Sequence, residues 1–496
     1  MVPTFQPKIQ LTLKKVQRRR GASRISFLSE SQIQDIDLTP HLGETGSVTT
    51  SRAINQPAGT FTIVLADKLD SQSQDTLYAS IEPMDLIYIR FARQPTGELP
   101  IVMRGLVSAV SRDETMGNDG HPHRTVTITG HDFGKFLQIM QISYLKEYIY
   151  GNYLLTNVPM YEAYGLWFGS SSPSDFVQKI MESLVSGSGL GGEKNTPVPF
   201  LKALFDKSGL DAWIEFGVDA TVKGARVGPF GMTSQEGDVW QLMAAWCDLG
   251  WNEMFVEDRP DAAYLVYRPV PYHALMPDAT LGAVSDTLIM AEDGAVEPAE
   301  VQVDVVEVEA LSLSRSDSNV ANFFQVDAPM AEIVNPDWIR VQATQNGLAL
   351  ETGNRNCAPE IYGLKKMNAR TNQSAETGTD MRNQVPAAIK PAQLSAIGAW
   401  YQKRLRQLRA INEDNVVFEE GSMSMRGNEA IRPGVYIRLK RGSRSSRFYV
   451  TAVSHQFTPY HSFKTTLQLT RGESYIDRLN ENGSPFIAEG KAGPYG

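Results

Sequence analysis

Val107-Ser108-Ala109-Val110-Ser111 and Val450-Thr451-Ala452-Val453-Ser454 are variants of one five-residue phrase, set in two separate β-prone regions of the chain. Similar matches flank them in the same order. Downstream, Thr125-Val126-Thr127-Ile128-Thr129 parallels Thr466-Leu467-Gln468-Leu469-Thr470, and upstream Tyr88-Ile89-Arg90 parallels Tyr436-Ile437-Arg438. Further upstream, Ser51-Arg52 precedes Phe61 as Ser314-Arg315 precedes Phe324. Alternating β sequence carries little information, so a single match could arise between unrelated antiparallel sheets. Four matches in one order argue for an internal duplication.

Outward from these phrases the first 130 or so residues alternate as strands do. Ile9, Leu11 and Leu13 form one such run, Phe61, Ile63 and Leu65 a second, and Leu86-Ile87-Tyr88-Ile89-Arg90-Phe91 a third. Residues 105–111 and 124–130 make a hairpin around a loop rich in Gly, Asn and His. Helices follow: one with Phe176, Ile180 and Leu184 on a face and Ser174 as cap, and one with Val239, Leu242, Met243 and Trp246. Asn252 to Val256 and Tyr264 to Arg268 read as strands of a small α+β unit. Alternation returns over 301–315, where the Val305-Val306 doublet suggests a β-bulge. Residues 365–384 read as an exposed excursion, and 394–411 as a helix with Ile397, Trp400, Tyr401, Leu405, Leu408 and Ile411 as its stripe and Lys403, Arg406, Gln407 and Arg409 mostly off it. Residues from Ser484 onward read as a loose tail.

A length of 496 residues with 42% hydrophobic and 21% charged content excludes wholesale disorder and suggests about three domains, at roughly 150 residues each. Lys and Arg total 47 and Asp and Glu 56, so 47 − 56 = −9, which argues against wrapping DNA by bulk charge. Two cysteines cannot build a disulfide framework. No apolar run approaches the roughly 18–20 residues of a membrane span, and the N-terminal residues lack a signal core. Charge is nevertheless zoned. The first 29 residues hold seven cations, Lys14, Lys15, Arg18, Arg19 and Arg20 among them, and no acid. Residues 269–314 reverse this, with Glu300, Asp304, Glu307 and Glu309 among nine acids and no Lys or Arg. Residues 403–409 and 438–447 are basic again. Solvated faces would account for any one zone; together they make Lys14, Lys15, Arg18, Arg19, Arg20, Glu300, Asp304, Glu307 and Glu309 candidate partner or inter-subunit contacts.

Catalytic and metal chemistry is sparse. His121 and His123 with nearby His131 are the best metal candidate, yet no Cys or carboxylate cluster completes the set, and a solvated hairpin is the simpler reading. Walker loops, nucleophile elbows, zinc-protease helices and Cys-x-x-Cys pairs are missing from the sequence, so no cofactor, metal or catalytic residue is expected. Glu419-Glu420 are adjacent on a strand and therefore point apart; Cys247 reads as a small buried hydrophobe.

The stretches Arg104 to Ser108, Arg124 to Gly134, Trp251 to Phe255 with Arg259-Pro260-Asp261 and Leu265 to Pro269, Gly421 to Asn428 with Ile431 to Ile437, and Phe448 to Gly472 together resemble the baseplate hub proteins of contractile-tailed bacteriophages, relatives of the hub part of type VI secretion spike proteins and of late control D proteins. Residues 144–238 and 344–391 resemble nothing recognised. The resemblance implies a mainly β chain with α+β insertions: two similar tube-forming β-barrel domains plus smaller inserted domains. The implied boundaries are a first barrel over 1–143, inserted α+β domains over 144–300, a second barrel split over 301–343 and 412–473, an insertion with a basic amphipathic helix over 344–411, and a tail over 474–496. It further implies a homotrimer in the virion's tail baseplate, assembled in the host cytoplasm. Three chains would present six barrels to a six-fold tail tube or tube initiator above and hold a three-fold central spike, a separate protein, below. Wedge proteins and the tape measure would be further neighbours, and DNA would pass through unbound. A tail-associated peptidoglycan hydrolase using Glu162, Asp175 and Glu182 is the alternative, and a carbohydrate-binding protein a third, but those carboxylates have no spacing that demands acid–base work.

Overall fold

The computed structural model describes residues 7–15, 17–18, 26–27, 34–43, 46–67, 76–94, 97–116, 120, 122–139, 141–144, 172–186, 216–227, 235–275, 284–327, 348–350, 353–373, 390–441 and 444–472. Its main element is a sheet of thirteen strands. In chain order these are β1 (Lys8–Lys15), β2 (Gln34–Asp37), β3 (Ser47–Ala53), β4 (Thr60–Ala66), β5 (Leu86–Ala92), β6 (Ile101–Met116) and β7 (Pro122–Asp132), then β8 (Glu300–Asp304), β9 (Val308–Ser314), β10 (Glu419–Arg426), β11 (Tyr436–Arg441), β12 (Arg444–Thr458) and β13 (Ser462–Gly472). The spatial order is β9-β10-β13-β12-β3-β4-β7-β6-β5-β1-β2, with β11 beside β12 and β8 beside β11.

This order contains the same unit twice. In the first, β3-β4-β7-β6-β5 are antiparallel neighbours; in the second, β9-β10-β13-β12-β11. The bulge settles the correspondence residue by residue. Val107 faces Gly130 and Ala109 faces Thr129, so Ser108 is the extra residue; Val450 faces Leu469 and Ala452 faces Gln468, so Thr451 is. Each bulge falls on the second residue of the repeated phrase. The units differ at one edge: β8 runs parallel to β11, whereas β1 inserts antiparallel between β5 and β2.

Anchoring on the bulges corrects three of the sequence matches. Thr127 rather than Thr125 corresponds to Thr466, and Leu86 rather than Tyr88 corresponds to Tyr436. Each is a slip of two residues. Such a slip leaves every side chain on its own face, so alternation cannot detect it. Ser51 does correspond to Ser314, but Phe61 corresponds to Gly421, because Phe324 lies in another sheet. The expected mainly β fold with two similar units is present, and separate closed barrels are not seen among the described residues. The two units are arms of one open sheet, each over its own core.

Two insertions complete the fold. The first carries helix α1 (Val239–Trp246), capped by the Asp238 carboxylate accepting from the Gln241 N–H at 2.7 Å, and a sheet of Phe216–Ala220, Ala263–Pro269 and Asn252–Asp258. The second carries helix α2 (Lys390–Asn412) and a sheet of Leu348–Leu350, Phe323–Asp327 and Lys366–Arg370. That last strand corrects the excursion expected at 365–384, as far as residue 373. All six stripe residues of α2 are buried, and they share one core with Met254, Tyr267 and Phe324, so the insertions pack together. Gln407, assigned off the stripe, is buried as well and donates to Asp293. The Val305-Val306 doublet is no bulge. It forms a tight 3-10 corner whose Asp304 carboxylate accepts from the Val306 N–H at 3.1 Å, leaving Val306 75% exposed. In the helix Pro173–Ser186, Ser172 accepts from the Asp175 N–H at 3.0 Å, while Ser174 donates to the Val222 carbonyl. Ser172 is therefore the cap, because Pro173 already occupies the first turn.

Candidate assembly interface

The two units meet along β12 and β3. From Ala452 opposite Ala53 to Phe457 opposite Val48 the strands pair antiparallel, so the far half of β12, past its bulge, is covered by the other unit. The tip of the β12–β13 hairpin then enters the first unit's core. Phe457 stacks on Phe91 at 6.0 Å between ring centroids, and Phe463 sits 5.4 Å from Phe91. Burying such a ring contributes about 1.5–3 kcal/mol.

Behind this seam lies a buried ion cluster. The Arg52 guanidinium donates to Asp132 at 2.8 Å and to Asp258, and Arg104 donates to Asp258 at 3.0 Å. Burial alone would lower the Arg52 pKa; Asp258 and Asp132 reverse that and raise it. Asp258 ends a strand of the first insertion, so the cluster ties that insertion to the first unit. Arg268 does the same for the second unit, donating to Glu253 at 2.6 Å and to the Gly434 carbonyl at 2.6 Å, while the Tyr449 hydroxyl donates to Glu253. Burial raises the Glu253 carboxyl, against Arg268 and Tyr449. Buried ion pairs stabilise little relative to apolar packing, but breaking one is costly, so they fix how the parts sit.

A cleft of about 600 Å³ opens over this cluster. The charges around it are engaged with each other: Arg52 with Asp258, Arg90 with Glu98 at 3.2 Å, Arg432 with Glu257 at 2.8 Å. His455, also on its wall, is buried against Thr465, and burial lowers its pKa to about 4. Ion pairs line most of the cleft, and Glu429 on its wall accepts from the Arg93 N–H at 3.1 Å. Among the described residues no His, Cys and carboxylate group could hold a metal, and no helix is long and apolar enough to cross a membrane.

The candidate contact residues are placed as follows. Lys15 bridges Glu82 at 3.3 Å and Asp85 at 3.5 Å, and Lys14 reaches Asp35 at 3.6 Å above the Tyr88 ring. Arg18 lies on the short strand Gln17–Arg18, and Arg19 and Arg20 fall outside the described residues. Glu300 receives two hydrogen bonds from Arg438 at 2.6 and 2.8 Å, Glu307 pairs with Arg93 at 2.6 Å, Glu309 with Lys464 at 2.8 Å, and Asp304 caps its corner. The acidic zone thus meets the basic strands within the same chain. Glu162, the side chain of Glu182, His121 and the tail from Ser484 lie outside what is described; Asp175 is in the first turn of its helix. His131 bonds Ser108 at 3.0 Å, at the opposite end of β7 from His123. Sequence reasoning does not single out Arg52, Arg104 and Asp258 as site residues. A charge within an apolar strand, as Arg104 is between Met103 and Leu106, is the available signal.

No protein-family model matches this chain, and no curated protein does. Among solved structures it is similar in fold to a tail protein from Neisseria meningitidis MC58 (10% identity, 94% of this chain and 98% of that one, TM-score 0.43). A second is the 43 kDa tail protein of prophage MuSo2 from Shewanella oneidensis (10% identity, 95% and 98%, TM-score 0.42). A third is the E. coli c3393 protein, a component of the type VI secretion system (8% identity, 86% and 72%, TM-score 0.38).

Proposed function

We propose that this protein is a structural baseplate hub of a contractile phage tail, whose three copies form a ring that adapts a six-fold tail tube to a three-fold central spike and leaves a passage for DNA. The observation that carries the reading is the twofold unit: same strand order, bulge on the same residue, joined side by side in one sheet. A chain with two equivalent units supplies six around an axis when three copies associate, and head-to-tail contacts of unlike surfaces close into such rings. In the ring each unit serves as one arc of a shared tube, so neither needs to close alone; the domain limits 1–143, 144–300, 301–343 with 412–473, 344–411 and 474–496 are proposed with this reading, except that residues 323–327 go with the second insertion. Tube protein above, spike below, and wedge or tape-measure proteins alongside would be its partners in the virion, with assembly in the host cytoplasm. The engaged charges of the cleft support a role in holding parts together over one in chemistry. Light scattering of the full chain, alone and with a candidate spike protein from the same genome, should give three copies per particle. A monomer or two-fold dimer in both samples would overturn the ring, and a lysis band on a cell-wall zymogram would overturn the purely structural role.

A further inference from the structure

We infer that the free edge of β9 in one copy pairs antiparallel with residues 109–114 of β6 in a second copy, Ser314 opposite Ser111, reproducing between chains the junction that β3 and β12 make within one. The inference rests on the ring reading above and names the surface that closes it.

Among the described residues β9 pairs only with β10, and the far half of β6, from Ala109, pairs only with β7. These are the counterparts of the two strands that do meet. The bulges equate Ala109 to Glu114 with Ala452 to Phe457, and the shared ladder equates Ser51 with Ser314. Ser454 faces Ser51 in the existing junction, so Ser111 faces Ser314 in the inferred one, with Val110 opposite Arg315 and Glu114 opposite Leu311. Two open strand edges of matched length invite this pairing, since unpaired backbone groups template a further strand.

Burial supports the same match independently. Val453 and Val48 are buried in the closed junction at 4% and 0% exposure. Their counterparts Val110 and Leu311 are only half-buried, each packed at the margin of its own unit's core, as is Leu313 in the place of buried Thr50. A second copy would cover these margins and make the two cores continuous.

The chemistry differs from the internal seam at one point. Where Phe457 and Phe463 form the tip of one hairpin, Glu114 and Arg124 form the other, paired at 2.9 Å, and the strand position of Phe91 is occupied by Arg441. An apolar tip suits a contact made once during folding. A charged tip suits a surface that stays soluble until a partner arrives, and makes the contact salt-sensitive.

The test mixes two full-length single variants, Ser111→Cys and Ser314→Cys, under mild oxidation, with light scattering on the same sample. Native Cys247 and Cys357 are buried and do not compete. The double variant Ser51→Cys with Ser454→Cys, whose pairing is given by the fold, sets the yield expected from this geometry within one chain. The expected result is a reducible species joining one chain of each variant at comparable yield, less of it in high salt, and none from either variant alone. Trimers without the cross-link would overturn the edge pairing and leave the ring standing. Monomers without it would overturn both, and cross-linking of either variant by itself would show a contact other than the one inferred.

Discussion

The two β-units share a plan and differ in what they do with charge. Around β6 the first unit buries it: Arg52, Arg104 and Asp132 are shut in with Asp258 from the insertion. At the matching positions of the second unit stand Arg315, Arg447 and Arg471, of which Arg315 and Arg447 pair with Glu419 at 3.6 Å and with Glu297 and Glu300 nearer the surface. The hairpin tips are reversed, apolar in the second unit and charged in the first. Duplication therefore preserved backbone hydrogen bonding, which depends on topology, while side chains diverged according to what each copy of the unit touches.

The largest expected effects probe that contrast directly. Asp258→Ala should cost about 3–5 kcal/mol in urea denaturation, because Arg52 and Arg104 would remain buried without their shared partner. Arg447→Ala, at the counterpart of Arg104, should cost less, about 1–2 kcal/mol, since Glu297 is half-exposed and can be hydrated while the guanidinium's stacking on Tyr436 is lost. Equal losses would erase the distinction between buried and surface clusters. Phe91→Ala should cost about 3–5 kcal/mol by emptying the site between Phe457 and Phe463. Glu114→Ala at the other tip should fall within about 0.5 kcal/mol in the isolated chain.

How far this is legible in the sequence follows from the same physics. The repeated phrase is visible because the bulge and its flanking valines are local. Its register is not, because a two-residue slip keeps all faces, and Phe324 draws the match into the insertion. β3 escapes notice for a related reason. Its residues, Ser-Val-Thr-Thr-Ser-Arg-Ala, read as polar, and only its place between β12 and β4 makes it a central strand. The α2 stripe is readable at helical spacing, whereas Gln407 and Arg404 are not, since their burial depends on Asp293 and on Trp251 and Trp400 around them. Strand pairing between distant segments is what joins the sheet, and alternation alone says nothing about it.

A smaller effect separates the units by pH. His455 is buried and neutral, with its pKa lowered from 6.5 to about 4 by desolvation, whereas its counterpart Arg112 pairs with Asp67 at 3.0 Å. The unfolded chain takes up the proton first as pH falls below about 6.5, so this contribution is present above that pH and lost progressively towards 4. The shift sets an upper bound of about 3 kcal/mol. Asp85 acts in the opposite sense, since burial raises it to about 6 and protonation below that favours the fold. Comparing wild type with His455→Gln at each pH cancels Asp85. The variant should lose less stability between pH 6.5 and 4; parallel curves would mean that His455 is hydrated.

Another small expected effect decides whether the acidic zone acts within a chain or between chains. Glu300 takes two hydrogen bonds from Arg438, which hold its carboxyl below the usual range, yet both side chains are about one-third exposed. Glu300→Ala or Arg438→Ala should therefore cost about 0.2–1 kcal/mol, less in high salt. The informative variant is the exchange, Glu300→Arg with Arg438→Glu. If the pair acts only within the chain, the exchange should recover most of the coupling in a double-mutant cycle and leave the particle mass by light scattering unchanged. If Glu300 instead meets a cation on a neighbouring copy, the exchange places like charges across that contact and repels it. Stability of the single chain would then recover while assembly fails, an outcome that would move the acidic zone from the fold of one chain to the joint between two.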